Sequence, residues 1–306
     1  MPTLDRAIPL TLLVLLFQPL IGSAIDLQPN DVVAPLPDKN YLMLSYVNTE
    51  NTNFYRNGSV VSAPPIYKNP VIDSNSAILR GTRTYSISDL PAVSYVQLPY
   101  TTTRPAGSLS GYPRDSGIGD LTIATAIWPY SNRETRTYLG IAGYLITSTG
   151  SYSSQQPFNV SENRFKSDLQ MGFQKPITDS VDGMIAVDTM WFGGNSQCAI
   201  ACSKILAANS PIVPLTQKPL TTTQLGPIYN INQIFTVGAS YFYVAGGATA
   251  VNNVYQNNVI NTQRFLLSGL AHTSIGRLSL QYGRDMEIKN SFYQPRVLAV
   301  RFAKEF

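Results

Sequence analysis

Histidine, cysteine and charge are what this chain has least of. One histidine and two cysteines occur in 306 residues, too few for a structural zinc site built from four Cys and His ligands. No metal or cofactor is expected. Charged residues make up 13% of the chain, against roughly 25% in soluble domains. The formal net charge of +4 is spread without basic runs, so there is no electrostatic footprint for nucleic acid. Long apolar runs are also missing after residue 21, which excludes a spanning helix in the rest of the chain. Any membrane crossing must therefore be made of strands. What is plentiful is Tyr (18), Gly (21) and Pro (21).

The first segment reads as an address. Arg6 precedes an apolar run over 8–21, and Gly22, Ser23 and Ala24 supply the small residues a signal peptidase accepts. With Pro9 and Pro19 inside it, the run is too short for a transmembrane helix of about 20 residues. The expected organisation is a signal peptide over 1–24, cleaved after Ala24, then a periplasmic or lumenal segment over 25–39, and a barrel over 40–306. Pro29, Pro35 and Pro37 argue against regular structure in the middle segment.

From residue 40 the pattern changes to strand-like stretches of alternating character. The last of them, 296–306, sets Phe306, Lys304, Phe302, Val300 and Leu298 on one face. Glu305, Ala303, Arg301, Ala299 and Val297 fall on the other, and this period of two belongs to a strand with two environments. A soluble protein seldom ends on an exposed Phe, whereas the closing strand of an outer-membrane barrel typically does, because the assembly machinery reads that end.

About twelve strands are expected: 40–51, 76–85, 93–100, 119–130, 137–148, 164–174, 184–192, 220–230, 234–245, 263–273, 277–283 and 294–306. Their lengths suit the 9–11 residues of a tilted membrane strand. Connections alternate. Those over 51–76, 101–118, 149–163, 193–219 and 246–262 are long, while 86–92, 131–136, 177–183, 231–233 and 274–276 are short. An outer-membrane barrel with short periplasmic turns and long external loops has this alternation. Only 284–293 is of middling length. The fold class is thus all-β, a transmembrane antiparallel β-barrel in the bacterial outer membrane.

Side-chain alternation orients three strands. In the sixth, Phe165, Ser167, Leu169, Met171 and Phe173 oppose Arg164, Lys166, Asp168, Gln170 and Gln174. Charge on the lipid face costs about 2 to 4 kcal/mol at the midplane, so the polar set must face the lumen. In the fourth, Leu121, Ile123, Thr125 and Ile127 face lipid and Asp120, Thr122, Ala124 and Ala126 face inward. The seventh puts Asp188 inward against Ile185, Val187, Thr189 and Trp191. The second and fifth strands have mixed faces and no assignable orientation. Candidate lumen residues are Asp120, Arg164, Lys166, Asp168, Gln170, Asp188, Arg277 and Arg301. Tyr100, Trp191 and Tyr243 are expected in an outer aromatic girdle, and Trp128, Tyr130, Tyr138 and Tyr229 in an inner one.

Three stretches carry a family likeness: Gly117-Ile118-Gly119-Asp120-Leu121, the run from Thr147 to Tyr152, and the segment 159–174 (NVSENRFKSDLQMGFQ). With these the chain resembles the outer-membrane proteins named after the meta-cleavage pathway of phenol degradation. The family usually reads Pro-Thr-Gly-Asp-Tyr in the second stretch, where this chain has Ser148, Thr149 and Ser151. The resemblance implies a barrel that passes small, often aromatic, compounds through the outer membrane, and no catalytic residues.

Other readings make different demands. A lipid hydrolase would need a base within hydrogen-bond reach of its nucleophile and a third group orienting that base. His272 and Ser274 are candidates, but the topology puts them at the periplasmic end, where the flanking residues lack the pattern of outer-membrane phospholipases, and Asp120, Asp168 and Asp188 read more simply as a hydrated lumen network than as an acid/base pair. A structural or adhesive surface protein would use the long loops and leave the lumen idle. Cys198 and Cys202, close together in the longest external loop, are expected to form a local disulfide in an oxidising compartment. The expected partners are a small-molecule solute, outer-membrane lipid, and the barrel assembly machinery at the strand ending in Phe306.

Overall fold

The computed structural model describes residues 25–62, 65–203 and 206–306. The leader read over 1–24 lies outside them. Twelve long strands form one antiparallel sheet: β1 (Asn40–Arg56), β2 (Pro70–Ile87), β3 (Leu90–Gly107), β4 (Thr122–Asn132), β5 (Thr137–Ile146) and β6 (Lys166–Pro176). The second half is β7 (Val181–Phe192), β8 (Leu220–Asn230), β9 (Phe235–Gly246), β10 (Ile260–Thr273), β11 (Gly276–Lys289) and β12 (Phe292–Glu305). Each pairs with its neighbour in sequence, and β12 pairs with β1 from Tyr41↔Glu305 to Phe54↔Phe292. That seam closes the barrel and removes both sheet edges.

Alternation decides which side chain meets lipid. Along β6, Ser167, Leu169 and Met171 are exposed while Lys166, Asp168, Gln170 and Gln174 are buried. On β4, Ile123 is exposed and Ala124 buried; on β7, Ile185, Val187 and Trp191 are exposed and Asp188 buried. The two strands without a sequence orientation resolve in the same way. β5 turns Tyr138 and Tyr144 inward and Leu145 outward, and β2 turns Ser74 and Ser76 inward and Leu79 outward.

Strand lengths depart from expectation at the loop end. β2 and β3 each run 18 residues, about 60 Å at roughly 3.3 Å per residue, whereas the bilayer core is about 30 Å. Their added parts pair with one another, Ile72↔Pro105 and Ser74↔Thr103 among them. The polar residues there read as loop because a strand standing above the bilayer needs no lipid-compatible face. Nor is the last connection of middling length. β11 and β12 are joined only by Asn290, which takes a positive φ of 59°, and Ser291.

The long connections fold onto one another. Short strands Asn195–Cys198, Val213–Gln217, Thr249–Val251 and Val254–Tyr255 make a separate four-stranded sheet from the β7–β8 and β9–β10 loops. Cys198 and Cys202 are bonded, with a Cα separation of 5.7 Å, inside the range such bridges require. Ile66, Tyr67, Leu109, Phe158, Ile200 and Leu206 bury one another in an apolar cluster that ties four loops together.

Candidate functional site: a lumen shared with the N-terminal segment

The interior of the barrel holds a cavity of about 1450 Å³. Its walls reach from Asp120, Val160 and Glu162 at the loop end to Tyr41, Ser274 and Glu305 at the end carrying the short turns. It therefore runs most of the barrel's height. Part of the remaining lumen is filled by the chain itself.

Residues ahead of β1 turn back into the barrel. Three prolines deny this segment a regular structure, so its backbone groups need partners supplied by the wall. Inward-facing amides do this. Gln224 accepts from the Leu27 N–H at 3.0 Å and donates to the Leu27 carbonyl at 2.9 Å. Gln170 donates to the Ile25 carbonyl at 2.9 Å, and Gln174 to the side chain of Asn30 at 3.1 Å. Gln28 donates to Ser279 and Gln281 on β11. Two ion pairs add charge, Asp26 with Arg264 at 2.6 Å and Asp31 with Arg277 at 2.9 Å. Further on, the Trp128 indole N–H donates to the Val32 carbonyl at 2.7 Å, and Arg133 donates to that of Ala34 at 2.8 Å.

Small residues make the room. A Cβ on Gly238 would lie 2.7 Å from the Pro29 ring, and one on Gly172 would lie 3.0 Å from Val32. Hydrogen bonds, charge and shape thus hold one segment against β4, β6, β8, β9, β10 and β11.

Loop 147–165 forms the other boundary. Asp120 fixes it: its carboxylate accepts from the Ser161 hydroxyl at 2.6 Å and from the Gly150 N–H at 3.0 Å. Gly150 must be glycine here, since a Cβ would approach the Gly119 backbone to 2.7 Å. Glu162 pairs with Lys166 at 2.8 Å and with Arg164, and Arg164 also donates to Gln217 and lies over the Phe192 ring at 4.7 Å. Burial pushes the Glu162 carboxyl up, but Lys166 and Arg164 together pull it down to about 2. The loop is anchored by charges that keep it ionised.

The eight residues picked out as lumen candidates fall into two groups. Asp120, Lys166, Gln170, Arg277 and Arg301 border the cavity. Arg164, Asp168 and Asp188 are buried, with 1%, 3% and 4% exposure, and Asp168 makes no hydrogen bond through either oxygen among the described residues. Gln224, Gln281 and Glu162 were not singled out from sequence. For Glu162 the signal existed, since Glu162, Arg164 and Lys166 alternate and so share a face.

The girdle needs a correction. Tyr100, Trp191, Tyr243, Tyr130 and Tyr229 are exposed on the barrel, but Trp128 and Tyr138 are each 5% exposed and point inward. Trp128 continues the inward set of Ala124 and Ala126, and a bulge between Ile127 and Tyr130 turns Tyr130 back out. Bulges break the period of two, so alternation could place the first aromatic but not the second.

A closed sheet with an apolar outer wall, a polar lumen and loops at one end defines an integral outer-membrane β-barrel. Residues 56–302 match the family described as “Putative MetA-pathway of phenol degradation”, and the chain belongs to that family. An outer-membrane channel from Pseudomonas putida F1 superposes with a TM-score of 0.83 at 24% identity, covering 92% of this chain and 100% of the channel. The β-domain of the Bordetella autotransporter BrkA gives a TM-score of 0.53 at 11% identity, over 88% of this chain and 100% of that domain. No curated protein sequence matches the chain.

Proposed function

We propose that this barrel is an outer-membrane conduit for small, phenol-like aromatic compounds. The observation that carries the reading is the cavity of about 1450 Å³ running beside the N-terminal segment, bordered by Tyr95, Trp128, Tyr138 and Tyr144 as well as by amides and hydroxyls. Aromatic rings accept a solute ring, and the polar groups hydrogen-bond a hydroxyl. At about 1450 Å³ it is larger than the roughly 300–1,000 Å³ of a closed small-molecule site, as suits a passage more than a pocket. The family description and the P. putida channel fold agree with passage.

The role is transport, not catalysis. His272 and Ser274 border the inner end of the cavity, yet no hydrogen bond joins them among the described residues, and the His272 backbone N–H is held by Ile234. Adhesion would give the cavity nothing to do. Phe306, 77% exposed, is the end offered to the assembly machinery, and the exposed apolar wall is the surface offered to lipid.

Uptake by cells lacking the protein tests this. Initial uptake of a labelled phenol at micromolar supply should fall on deletion and recover on complementation. Unchanged uptake across phenols, benzoates and alkylbenzenes, together with altered cell attachment, would favour the surface-protein reading instead.

A further inference from the structure

Charges bordering the cavity are nearly all matched within the chain. Arg264 has Asp26 and Arg277 has Asp31. Lys166 has Glu162, and Arg136 has Asp182 at 3.4 Å. Of the other bordering carboxylates, Asp120 is taken by the loop and Glu305 by Lys39. Apart from Lys304 at the exposed inner rim, two cations remain: Arg80 on β2 and Arg301 on β12. Neither has a carboxylate within 4.0 Å among the described residues, where the Arg301 side chain makes no hydrogen bond either, although Asp31 and Asp26 lie near enough to act on it.

These two face the same space. Met43 pairs with Arg80 and Ser45 pairs with Arg301, so the arginines flank successive inward positions of β1. Two cations without a salt bridge that border one cavity make it attractive to an anion. Arg80 is held in place, donating twice to Gln97 at 2.9 and 2.6 Å and lying 4.1 Å over the Tyr95 ring. The Tyr95 ring meets that of Tyr144 edge-on at 6.3 Å. Ser45, between the two arginine strands, has a buried hydroxyl with no partner.

We infer that Arg80 and Arg301 form an anion subsite beside the Tyr95–Tyr144 pair, and that the solutes this conduit favours are small aromatic carboxylates of the benzoate type. A carboxylate matches the planar guanidinium fork and supplies the missing counter-charge. The attached ring then lies where Tyr95, Tyr144 and Ile78 border the cavity. A neutral phenol can use the rings but brings neither arginine an ion pair. The inference rests on the conduit reading above and narrows its substrate class.

Equilibrium dialysis of the purified barrel at low ionic strength tests it, with radiolabelled benzoate, and with benzyl alcohol, phenol and acetate as competitors. Benzoate should bind at least tenfold more tightly than benzyl alcohol, which has the ring without the charge. Arg301→Gln should weaken benzoate about tenfold, the loss expected for one charge-assisted hydrogen bond, and leave phenol unchanged. Arg301→Lys, which keeps the charge and loses the fork, should fall between. Heat-dependent gel migration identifies variants that fold.

Benzoate bound no better than benzyl alcohol, or equally well by folded Arg301→Gln, would overturn the subsite and leave the aromatic conduit standing. Acetate displacing benzoate while no neutral aromatic binds would do the reverse, sinking the neutral-aromatic conduit and sparing the anion site.

Discussion

The indole N–H of Trp128 donates to the carbonyl of Val32 at 2.7 Å, joining residues 96 positions apart. One end of that bond is on the barrel wall and the other on the segment inside it. Deleting 26–35 removes this contact and both lumenal ion pairs, so single-channel conductance in planar bilayers should rise severalfold while the barrel stays folded. Unchanged conductance would mean that ions do not pass beside the segment.

Shape should act alone as well. Gly238 faces the Pro29 ring so closely that a Cβ would lie 2.7 Å away. Gly238→Val should push the segment off its wall without touching any hydrogen bond. A cysteine replacing Asp31 should then react faster with a thiol reagent than in the Gly238 parent; equal rates would place the segment elsewhere.

Acid should loosen the loop over the lumen. Burial raises and Lys166 with Arg164 more strongly lower the Glu162 pKa, to about 2 from 4.5. A depressed folded-state value means the stabilisation is complete above about pH 4.5 and is lost as pH falls towards 2. The melting-temperature gap between the parent and Glu162→Gln should be constant above that window and shrink within it. A gap independent of pH would show that the carboxylate charge is not what holds the loop.

Neighbouring positions of β6 should respond oppositely. Leu169 is 53% exposed on the lipid face, so Leu169→Arg should impair membrane assembly by about 2 to 4 kcal/mol. Asp168 is buried with neither oxygen partnered, and a buried carboxylate charge costs more than a neutral amide of the same shape. Asp168→Asn should therefore raise thermal stability. The reverse pair of outcomes would mean that the faces are exchanged.

Orientation is open to labelling. Cysteines at Ser110 or Asn252 should react with an impermeant reagent on intact cells, and those at Asn132 or Ser180 should not. Reaction at Ser180 from outside would invert the barrel.

The barrel was legible because its rule is local. Alternation in β4, β6 and β7 needs only neighbouring residues and a lipid solvent, and loop lengths alone told one end of the barrel from the other. Where strands rise beyond the bilayer the solvent changes, the constraint on the outer face lapses, and 70–75 and 101–107 look like loop. The lumen was legible only in part. Alternation says that Gln170 or Asp120 faces inward, but their partners, Ile25 and Gly150, lie 145 and 30 positions away. No pattern read along the chain carries that pairing. Nor does inward charge reveal which cations will be matched, and Arg277 and Arg301 looked alike until Asp31 chose one of them.

The carbonyl of Ile25 is held by Gln170, so the first described residue already sits inside the barrel. If 1–24 is a leader, we propose that its removal precedes docking of this segment. The same holds for anything fused to that end. An affinity tag placed ahead of Ile25 would be an object within the pore, and measurements made on such a protein would report on the tag.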